Sequence, residues 1–303
     1  MAADTHSDSP VIDGETKLST ALYVVATPLG HLADITLRAI STLKAVALIA
    51  AEDTRTSATL LRHYGIHTKT IAAHQHNEAG AAARIVEVLT EGKSVALISD
   101  AGTPGVSDPG ARIVQAVRAA GHAVVPVPGP NAAVAALSAS GFEGAFHFAG
   151  FLPPKSAARR KVLAGLKASS AVLVCYEAPH RIIDLADDLA LEFEATRRVV
   201  IARELTKRFE TIHACTVGAL AAWLTADSNQ QRGEFVVLIE GAVERDDDDG
   251  ALDAETQRVL ELVLAELPVK TAAALTARIT GTSKNLLYAA ALDLKKRAEP
   301  NPT

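Results

Sequence analysis

The chain of 303 residues is 49% hydrophobic and 21% charged, a composition typical of a globular protein. No apolar run is long enough to span a membrane, and the first residues lack the basic and apolar regions of a signal peptide. The length favours two domains plus an appendage over a single core. Cys175 and Cys215 lie in apolar, strand-like runs and are predicted to be buried, unreactive thiols, so we expect a cytoplasmic protein.

The net charge of −5 does not exclude an RNA partner, because the acidic residues are unevenly distributed. Residues 1–20 have an excess of three negative charges, and residues 244–249 an excess of four. Residues 268–297 instead carry six basic residues and one acidic residue. The C-terminal part of the chain is therefore basic.

Residues 1–17 are polar and without periodicity, and they are predicted to form a disordered tail. Over residues 18–128, short β-branched runs alternate with helical patterns, which predicts an α/β domain with a mainly parallel, doubly wound sheet. The predicted strands are 22–26, 46–50, 69–72, 94–98 and 123–127. The predicted helices are 35–44, 55–64, 77–91 and 109–120.

Three of these strands end in turns rich in proline and glycine. The turns lie within Ala21–Asp34, Leu97–Gly110 and Ala123–Asn131. Asp34, Asp108 and Asn131 are predicted to cap the helices that follow. Because the carboxyl ends of parallel strands meet at one edge of a sheet, we expect the three turns to converge on one ligand-binding crevice.

Residues 129–243 are predicted to form a second α/β domain, with a mixed sheet. Its strands are expected near 146–150, 171–176, 197–203, 210–216 and 235–240, with helices near 156–168, 180–192 and 217–225. Residues 244–251 are predicted to be an acidic linker.

Residues 252–303 change character and are predicted to form a small, basic helical module. A helix over Leu252–Leu267 is followed by two shorter helices that join at Gly281, with Ser283 as the cap of the last one. This spacing fits a helix–turn–helix pair, and it fits a plain helical cap on the core equally well.

Charged residues also follow strands in both predicted domains, which favours a polar cleft. These clusters are Glu52–Arg55, Tyr176–Arg181 and Arg203–Arg208. In the first of them, Asp53 or Thr54 is predicted to cap a helix. The spacing of His74, His76 and Glu78 would suit metal ligands, but at a strand-to-helix junction a polar loop is favoured and no metal is predicted.

Three common catalytic motifs are missing from the sequence. It contains no P-loop, no G-x-G-x-x-G after a strand and no G-x-S-x-G elbow. A P-loop nucleotide hydrolase, a dinucleotide-dependent oxidoreductase and an α/β-hydrolase are therefore disfavoured.

Several motifs together resemble one family. They are TPLG at 27–30, AEDTR at 51–55, HNE at 76–78, SDAGTPGVSDPG at 99–110, PGPNA at 128–132, GFLP at 150–153, YEAPHR at 176–181, RELTKRFE at 203–210 and GEF at 233–235. On these motifs the chain resembles the ribosomal RNA small-subunit methyltransferase I family of the tetrapyrrole-methylase-like superfamily. The resemblance covers roughly residues 20–295, with the motifs in order.

The resemblance implies a homodimer of chains with two α/β domains that bind S-adenosylmethionine between them. The implied reaction is methyl transfer to the ribose 2′-oxygen of cytidine 1402 in the 16S rRNA of the small ribosomal subunit, with no metal, membrane or DNA involved. The family's cofactor loops correspond here to Pro28, Leu29, Gly30, Ser99, Asp100, Ala101, Gly102, Thr103, Pro104, Pro128, Gly129, Pro130, Asn131 and Ala132. Tyr176 and Glu177, at a strand end of the second domain, are further cofactor candidates.

The implied chemistry requires the 2′-hydroxyl to be aligned with an activated methyl group and to lose its proton. The candidate catalytic residues are Glu52, His76, Glu204 and Lys207. The candidate RNA-binding residues are Arg55, Arg160, Arg181, Arg208 and Lys284. Transfer by proximity alone, without a dedicated base, stays open.

Two other functions stay open on the sequence. One is methylation of a tetrapyrrole, although relatives with that activity usually carry a G-x-G-x-G-D turn where this chain has Thr27–Gly30. The other is a non-catalytic protein that binds the small subunit through residues 252–297. The intact cofactor loops argue against this second alternative.

Overall fold

A computed structural model describes residues 18–75, 77–242, 252 and 254–298. The chain divides into two compact units, of which the first ends at Ala242 and the second is C-terminal. The predicted tail (1–17) and the predicted acidic linker (244–251) lie outside the described residues. No described helix combines the length and the hydropathy that crossing a membrane requires.

The first sheet is fully parallel, as predicted. Its strands are β1 (Ala21–Val25), β2 (Leu48–Ala51), β3 (Thr70–Ala72), β4 (Val95–Ile98) and β5 (Ala123–Val127). They pair in the order β3-β2-β4-β1-β5. Strand β1 therefore lies between β4 and β5, and the carboxyl ends of these three strands are adjacent.

Helices cover both faces of this sheet. They are α1 (Leu37–Ala45), α2 (Thr54–His63), α3 (Glu78–Thr90) and α4 (Ala111–Ala119). Alternate strand residues point to opposite faces, so Tyr23 packs in a core with α1 and α2 whereas Leu22 packs in a core with α3 and α4. The doubly wound arrangement is thus confirmed.

Two of the predicted helix caps are wrong. Helix α1 is capped by the hydroxyl of Thr36, which accepts the N–H of Ala39, and not by Asp34. The N-cap of α4 is Gly110, with φ 134°, and not Asp108. In both cases the helix begins slightly later than predicted, beyond the reach of the aspartate. Asn131 and Asp53 cap their helices as expected.

The second sheet is mixed, as predicted. Its strands are β6 (Phe146–Phe151), β7 (Val172–Glu177), β8 (Arg198–Arg203), β9 (Thr211–Thr216) and β10 (Phe235–Ile239), in the order β6-β7-β10-β8-β9. Only β6 and β7 pair in parallel among these strands. The helices are α5 (Ala132–Ser138), α6 (Ser156–Leu166), α7 (Ile182–Glu192) and α8 (Val217–Ala226).

The core of this sheet also has two sides. Helix α5 packs on one face against Val200 and Val236, while α6, α7 and α8 cover the other. Cys175 is fully buried in β7, where burial raises the pKa of its thiol to about 12. Cys215 in β9 is only partly buried, and burial raises its pKa as well. Both thiols are thus kept protonated at neutral pH.

The C-terminal unit contains three helices, α9 (Ala254–Glu266), α10 (Val269–Thr280) and α11 (Lys284–Ala298). They pack around Leu260, Ala273, Leu287 and Ala291. As predicted, Gly281 ends α10, in the left-handed conformation at φ 77°.

Candidate active site

The three turns that end β1, β4 and β5 meet at one edge of the first sheet, as predicted. The main chains of Thr27 and Gly102 bond to each other in both directions, with N···O distances of 2.8 and 3.0 Å. The hydroxyl of Thr103 donates to the carbonyl of Pro130 at 2.9 Å. These contacts fix the three loops relative to one another.

Gly102 is required where the first two loops meet. Its φ is +78°, and a Cβ at this position would lie 3.4 Å from Cδ2 of Leu29. The hydroxyl of Thr27 donates to the carbonyl of Ser99 at 3.1 Å, which anchors the start of the same loop. Glycine allows the two backbones to approach each other where a side chain would be strained.

A cavity of about 330 Å³ opens between these loops and the second sheet, all within the first unit. Half of the predicted cofactor residues line it: Leu29, Ala101–Thr103, Asn131–Ala132 and Tyr176–Glu177. The others are not among the lining residues but belong to the turns around them: Pro28, Gly30, Ser99–Asp100, Pro104 and Pro128–Pro130.

Tyr176 and Glu177 connect the cavity to the second sheet. The N–H of Ala133, in the first turn of α5, donates to the hydroxyl of Tyr176 at 3.2 Å. Glu177 is fully buried and pairs with Arg181, whose Nε lies 3.0 Å from Glu177 Oε1. Arg181 also donates to the carbonyl of Leu152 at 2.7 Å. These bonds fix the position of the Arg181 side chain.

Lys207 is the predicted catalytic residue that lines the cavity. Its Nζ lies 2.9 Å from Glu204 Oε1 and 3.0 Å from Glu234 Oε2. Burial lowers the pKa of Lys207, but the two carboxylates outweigh this effect and raise it above its usual value. Lys207 is therefore a fixed positive charge in the cavity wall at neutral pH.

Glu204 supports Lys207 from an unusual backbone conformation. Its φ is +52°, that of Thr206 is +63°, and Oε1 of Glu204 also accepts the N–H of Glu234 at 3.0 Å. Burial raises the pKa of Glu204, but the Glu234 N–H and Lys207 outweigh it, so the pKa is lowered. The hydroxyl of Thr206 accepts the N–H of His31 at 3.1 Å, which ties this segment to the first loop.

Glu52 lies next to the second loop rather than in the cavity lining. Its Oε2 accepts the N–H of Asp100 at 3.3 Å, and Asp100 in turn accepts the N–H of Asp53 at 3.0 Å. Burial raises the pKa of Glu52 despite the Asp100 N–H, and the Asp100 and Asp53 charges add to the rise.

The remaining predicted residues are spread over the molecule. His76 lies outside the described residues, and the described part of the chain contains no cluster of metal-ligating side chains. Arg55 and Arg208 are exposed, Arg55 beside Asp53 and Arg208 over the ring of Phe209. Arg160 pairs with Glu192. Lys284 is exposed in the C-terminal unit.

Sequence reasoning missed several cavity residues. The most notable are Asp108, Glu234 and Phe151. The motifs SDPG, GEF and GFLP contain these three residues, so the signal was present. On the sequence, a helix cap accounts for Asp108, and nothing places Glu234 or Phe151 near the loops.

Comparison with known proteins identifies the family. A model for tetrapyrrole (corrin/porphyrin) methylases matches residues 21–221, and one for the RsmI C-terminal HTH domain matches residues 250–295. A relative from Escherichia coli O157:H7 is 49% identical over 90% of this chain and 94% of its own. A Pseudomonas aeruginosa relative is 51% identical over 89% and 96%. Both are named ribosomal RNA small subunit methyltransferase I.

The chain belongs to the ribosomal RNA small subunit methyltransferase I family.

Solved structures with the same fold are more distant. The uroporphyrin-III-C-methyltransferase of Thermus thermophilus superimposes with a TM-score of 0.53 at 20% identity, over 73% of this chain and 94% of that one. A cobalt precorrin-4 methyltransferase gives 0.58 at 15% identity, over 76% and 98%. This similarity establishes the fold of the first unit.

The family fixes the reaction type: the chain is a methyltransferase, and S-adenosylmethionine is its methyl donor. The cavity fits this cofactor. Leu29, Val106 and Val236 offer apolar surface to an adenosine, and the carboxylates of Asp108 and Glu234 complement the positive sulfonium and ammonium groups. The volume of about 330 Å³ lies within the range of small-molecule sites.

Proposed function

We propose that this chain methylates the ribose 2′-oxygen of cytidine 1402 in the 16S rRNA of the small ribosomal subunit. One observation carries the proposal. Similarity to relatives named for small-subunit rRNA spans about nine tenths of the chain, including the C-terminal helices, whereas the tetrapyrrole methyltransferase structures cover about three quarters.

The protein's main task in this reaction is alignment. The methyl group of S-adenosylmethionine is already activated as a sulfonium. The three loops would hold the cofactor through Leu29, Ala101–Thr103 and Asn131–Ala132. Lys207, fixed by Glu204 and Glu234, would hold oxygens of the target nucleotide near the cavity. Alignment of this kind supplies about 7–11 kcal/mol in favourable cases.

The target base needs a surface of its own, and Phe151 offers one. Its ring lines the cavity and is 56% exposed, packed at an angle against Tyr176 with 5.6 Å between the ring centroids. Strand β6 is irregular just before it, where Gly150 has φ +63°. Bulges often redirect a side chain next to a site, and flipped-out bases stack on aromatic rings.

We assign RNA-phosphate contacts to exposed basic side chains. Arg55 and Arg208 are exposed near the first unit's loops, and Lys284 belongs to an exposed basic set on the C-terminal helices: Lys270, Arg278, Lys284, Lys295 and Lys296. Arg55 pairs with Asp53 but keeps 89% of its side chain exposed. Arg160 and Arg181 are also paired with carboxylates and are less exposed, so we give Arg181 a structural role and Arg160 a secondary one.

The proposal includes a cytoplasmic homodimer, and the domain limits 18–128, 129–243 and 252–303. The packing of α5 against the second sheet supports a boundary near residue 129. The match of residues 250–295 to a helix–turn–helix model supports the third domain and favours that fold over a plain helical cap.

Methyl transfer from labelled S-adenosylmethionine tests the function. The acceptors are small ribosomal subunits that lack the modification, free 16S rRNA and a precorrin. We expect label in a ribose of the subunit's rRNA. Label in the tetrapyrrole alone would overturn the proposal, and so would cofactor binding without transfer to any acceptor.

A further inference from the structure

Asp108 lines the cavity and does not cap a helix. The sequence predicts a helix N-cap at this residue, yet the N-cap of α4 is Gly110. The N–H of Gly110 donates to Oε1 of Glu78 at 2.7 Å, and Glu78 is buried on α3. Because a distant carboxylate stabilises this end of α4, the carboxylate of Asp108 is available to the cavity that it lines.

The backbone around Asp108 is held in a strained conformation. Ser107 has φ +67°, which is unfavourable for a residue with a side chain, and Gly105 and Gly110 also have positive φ. A Cβ on Gly150 would lie 3.1 Å from Oγ of Ser107, so the bulge in β6 packs closely against this turn. Strain of this kind persists where the surrounding structure enforces it, and it is common at functional sites.

Charged and titratable groups from four other segments surround Asp108. Glu52 follows β2, Asp100 follows β4, Glu234 precedes β10, and Tyr176 lies on β7. Burial raises the pKa of Asp108, the negative charges of Glu52, Asp100 and Glu234 add to the rise, and the Ser99 hydroxyl opposes it, which gives a value of about 6. Lys207, which is positively charged, lines the same cavity.

The other carboxylates are less suited to accept a proton from a substrate in the cavity. Glu177 and Glu234 line the cavity, but Glu177 is paired with Arg181 and Glu234 with Lys207. Glu204 is bonded to Lys207 and to the Glu234 N–H, and its pKa is lowered. Glu52 accepts the Asp100 N–H and is not among the residues that line the cavity. A base is most effective when its pKa is close to the working pH, which again favours Asp108.

We propose that Asp108 is the general base that takes the proton of the ribose 2′-hydroxyl during methyl transfer. The proposal rests on the proposed function. The 2′-oxygen forms a bond to the methyl carbon, and the bond from that carbon to sulfur breaks with its electron pair remaining on sulfur. The hydroxyl proton moves to the Asp108 carboxylate and then to solvent, so charge and atoms balance.

Asp108→Asn tests the proposal, with Glu143→Gln as the control because Glu143 is an exposed carboxylate outside the cavity. Methyl transfer to unmodified small subunits is measured at saturating S-adenosylmethionine from pH 5 to 9. The pKa of Asp108 is about 6 in the free protein, and the bound cationic cofactor favours its ionised form. For the wild type we therefore expect a rate that falls as the pH drops below about 6. For Asp108→Asn we expect a loss of about 100-fold or more and no such fall, with Glu143→Gln unchanged.

Calorimetry of S-adenosylmethionine binding provides a readout that is independent of turnover. A cationic ligand favours the ionised form of the Asp108 carboxylate. At pH 6 we therefore expect the wild type to release protons when the cofactor binds. Binding heats measured in buffers of different ionisation enthalpy give the number of protons released. Asp108→Asn should bind without this release. A variant that transfers methyl groups within threefold of the wild-type rate would overturn the assignment, and so would one that loses only cofactor affinity.

A precorrin as a second acceptor in the same assay separates this proposal from the proposed function. If the wild type methylates the subunit and Asp108→Asn is equally active, only the assignment of Asp108 as the general base is overturned. A wild type that methylates only the precorrin overturns the proposed function, and the assignment of Asp108 to a ribose hydroxyl falls with it.

Discussion

Gly102 and Thr27 join two loops of different strands through a pair of backbone hydrogen bonds, with N···O distances of 2.8 and 3.0 Å. The pair forms a short antiparallel bridge at the edge of an otherwise parallel sheet. The bridge sets the distance between the loops that follow β1 and β4, and the left-handed backbone of Gly102 makes it possible.

Gly102→Ala should weaken cofactor binding about tenfold and destabilise the fold by about 1–2 kcal/mol, since alanine is strained at positive φ. The new Cβ would also lie 3.4 Å from the side chain of Leu29 in the cavity. Calorimetry of S-adenosylmethionine binding and thermal unfolding measure the two effects.

The matched control for this prediction is Gly121→Ala. Gly121 has φ +82°, and a Cβ there would have no atom within 4 Å in the described structure, so it shares the backbone strain and lacks the cavity contact. We expect lower stability and unchanged cofactor affinity. Equal loss of affinity in both variants would show that strain in general, and not the bridge, controls binding.

Phe151→Ala should raise the KM for the small subunit and leave the affinity for S-adenosylmethionine nearly unchanged. Stacking of a base on an aromatic ring contributes about 1–3 kcal/mol, which corresponds to a rise of roughly 5- to 150-fold. Phe146→Ala is the control, because Phe146 lies on the same strand, is 46% exposed and does not line the cavity. A large loss of cofactor affinity in Phe151→Ala would instead place the ring against the adenine.

Replacing Lys284, Lys295 and Lys296 with glutamine should weaken RNA binding and make it less dependent on salt. Each phosphate contact contributes about 0.7–0.9 to the slope of log Kd against log salt, so the slope should fall by about 2 if these three side chains contact phosphates. Filter binding of small subunits, repeated from low to moderate salt concentration, measures this slope.

The control for this prediction has the same change in charge at exposed lysines of the first unit, Lys44, Lys69 and Lys93. If both triple variants lose affinity equally, then net charge rather than the C-terminal helices governs binding. Unchanged affinity in the first triple variant would remove the C-terminal unit from the RNA interface.

Asp108→Asn should stabilise the fold at pH 8 and have little effect at pH 4. The pKa of Asp108 rises from its ordinary value to about 6 in the folded protein, so the folded state favours the protonated carboxyl. The stability that this preference contributes is present at low pH and is lost as the pH rises through about 6. Thermal unfolding at both pH values checks it, and a variant less stable than the wild type at pH 8 would contradict it.

The sequence predicted the parallel sheet and the convergence of the three loops correctly, because both follow from local patterns. A buried strand followed by a proline–glycine turn can be recognised from a few residues, and parallel strands must place such turns at one edge. The cap of Asn131 and the end of α10 at Gly281 are equally local.

Contacts between distant segments could not be predicted from the sequence. The local pattern predicts a helix cap at Asp108, whereas the N-cap of α4 is Gly110. The N–H of Gly110 donates to Glu78, which belongs to another helix and could not be placed there from the sequence. Lys207 and Glu234 meet because β8 and β10 pair antiparallel, which brings the end of one strand beside the start of the other. Phe151 reaches the cavity through an irregularity in β6 that alternation alone does not predict.

The most direct test of the proposed function removes a single oxygen atom from the substrate. Small subunits are reconstituted with 16S rRNA that carries 2′-deoxycytidine at position 1402, and labelled methyl transfer is compared with that to subunits with the ordinary ribose. We expect transfer to the ribose-containing subunit and none to the deoxy subunit. Equal labelling of both would place the methyl group elsewhere and contradict the proposed function.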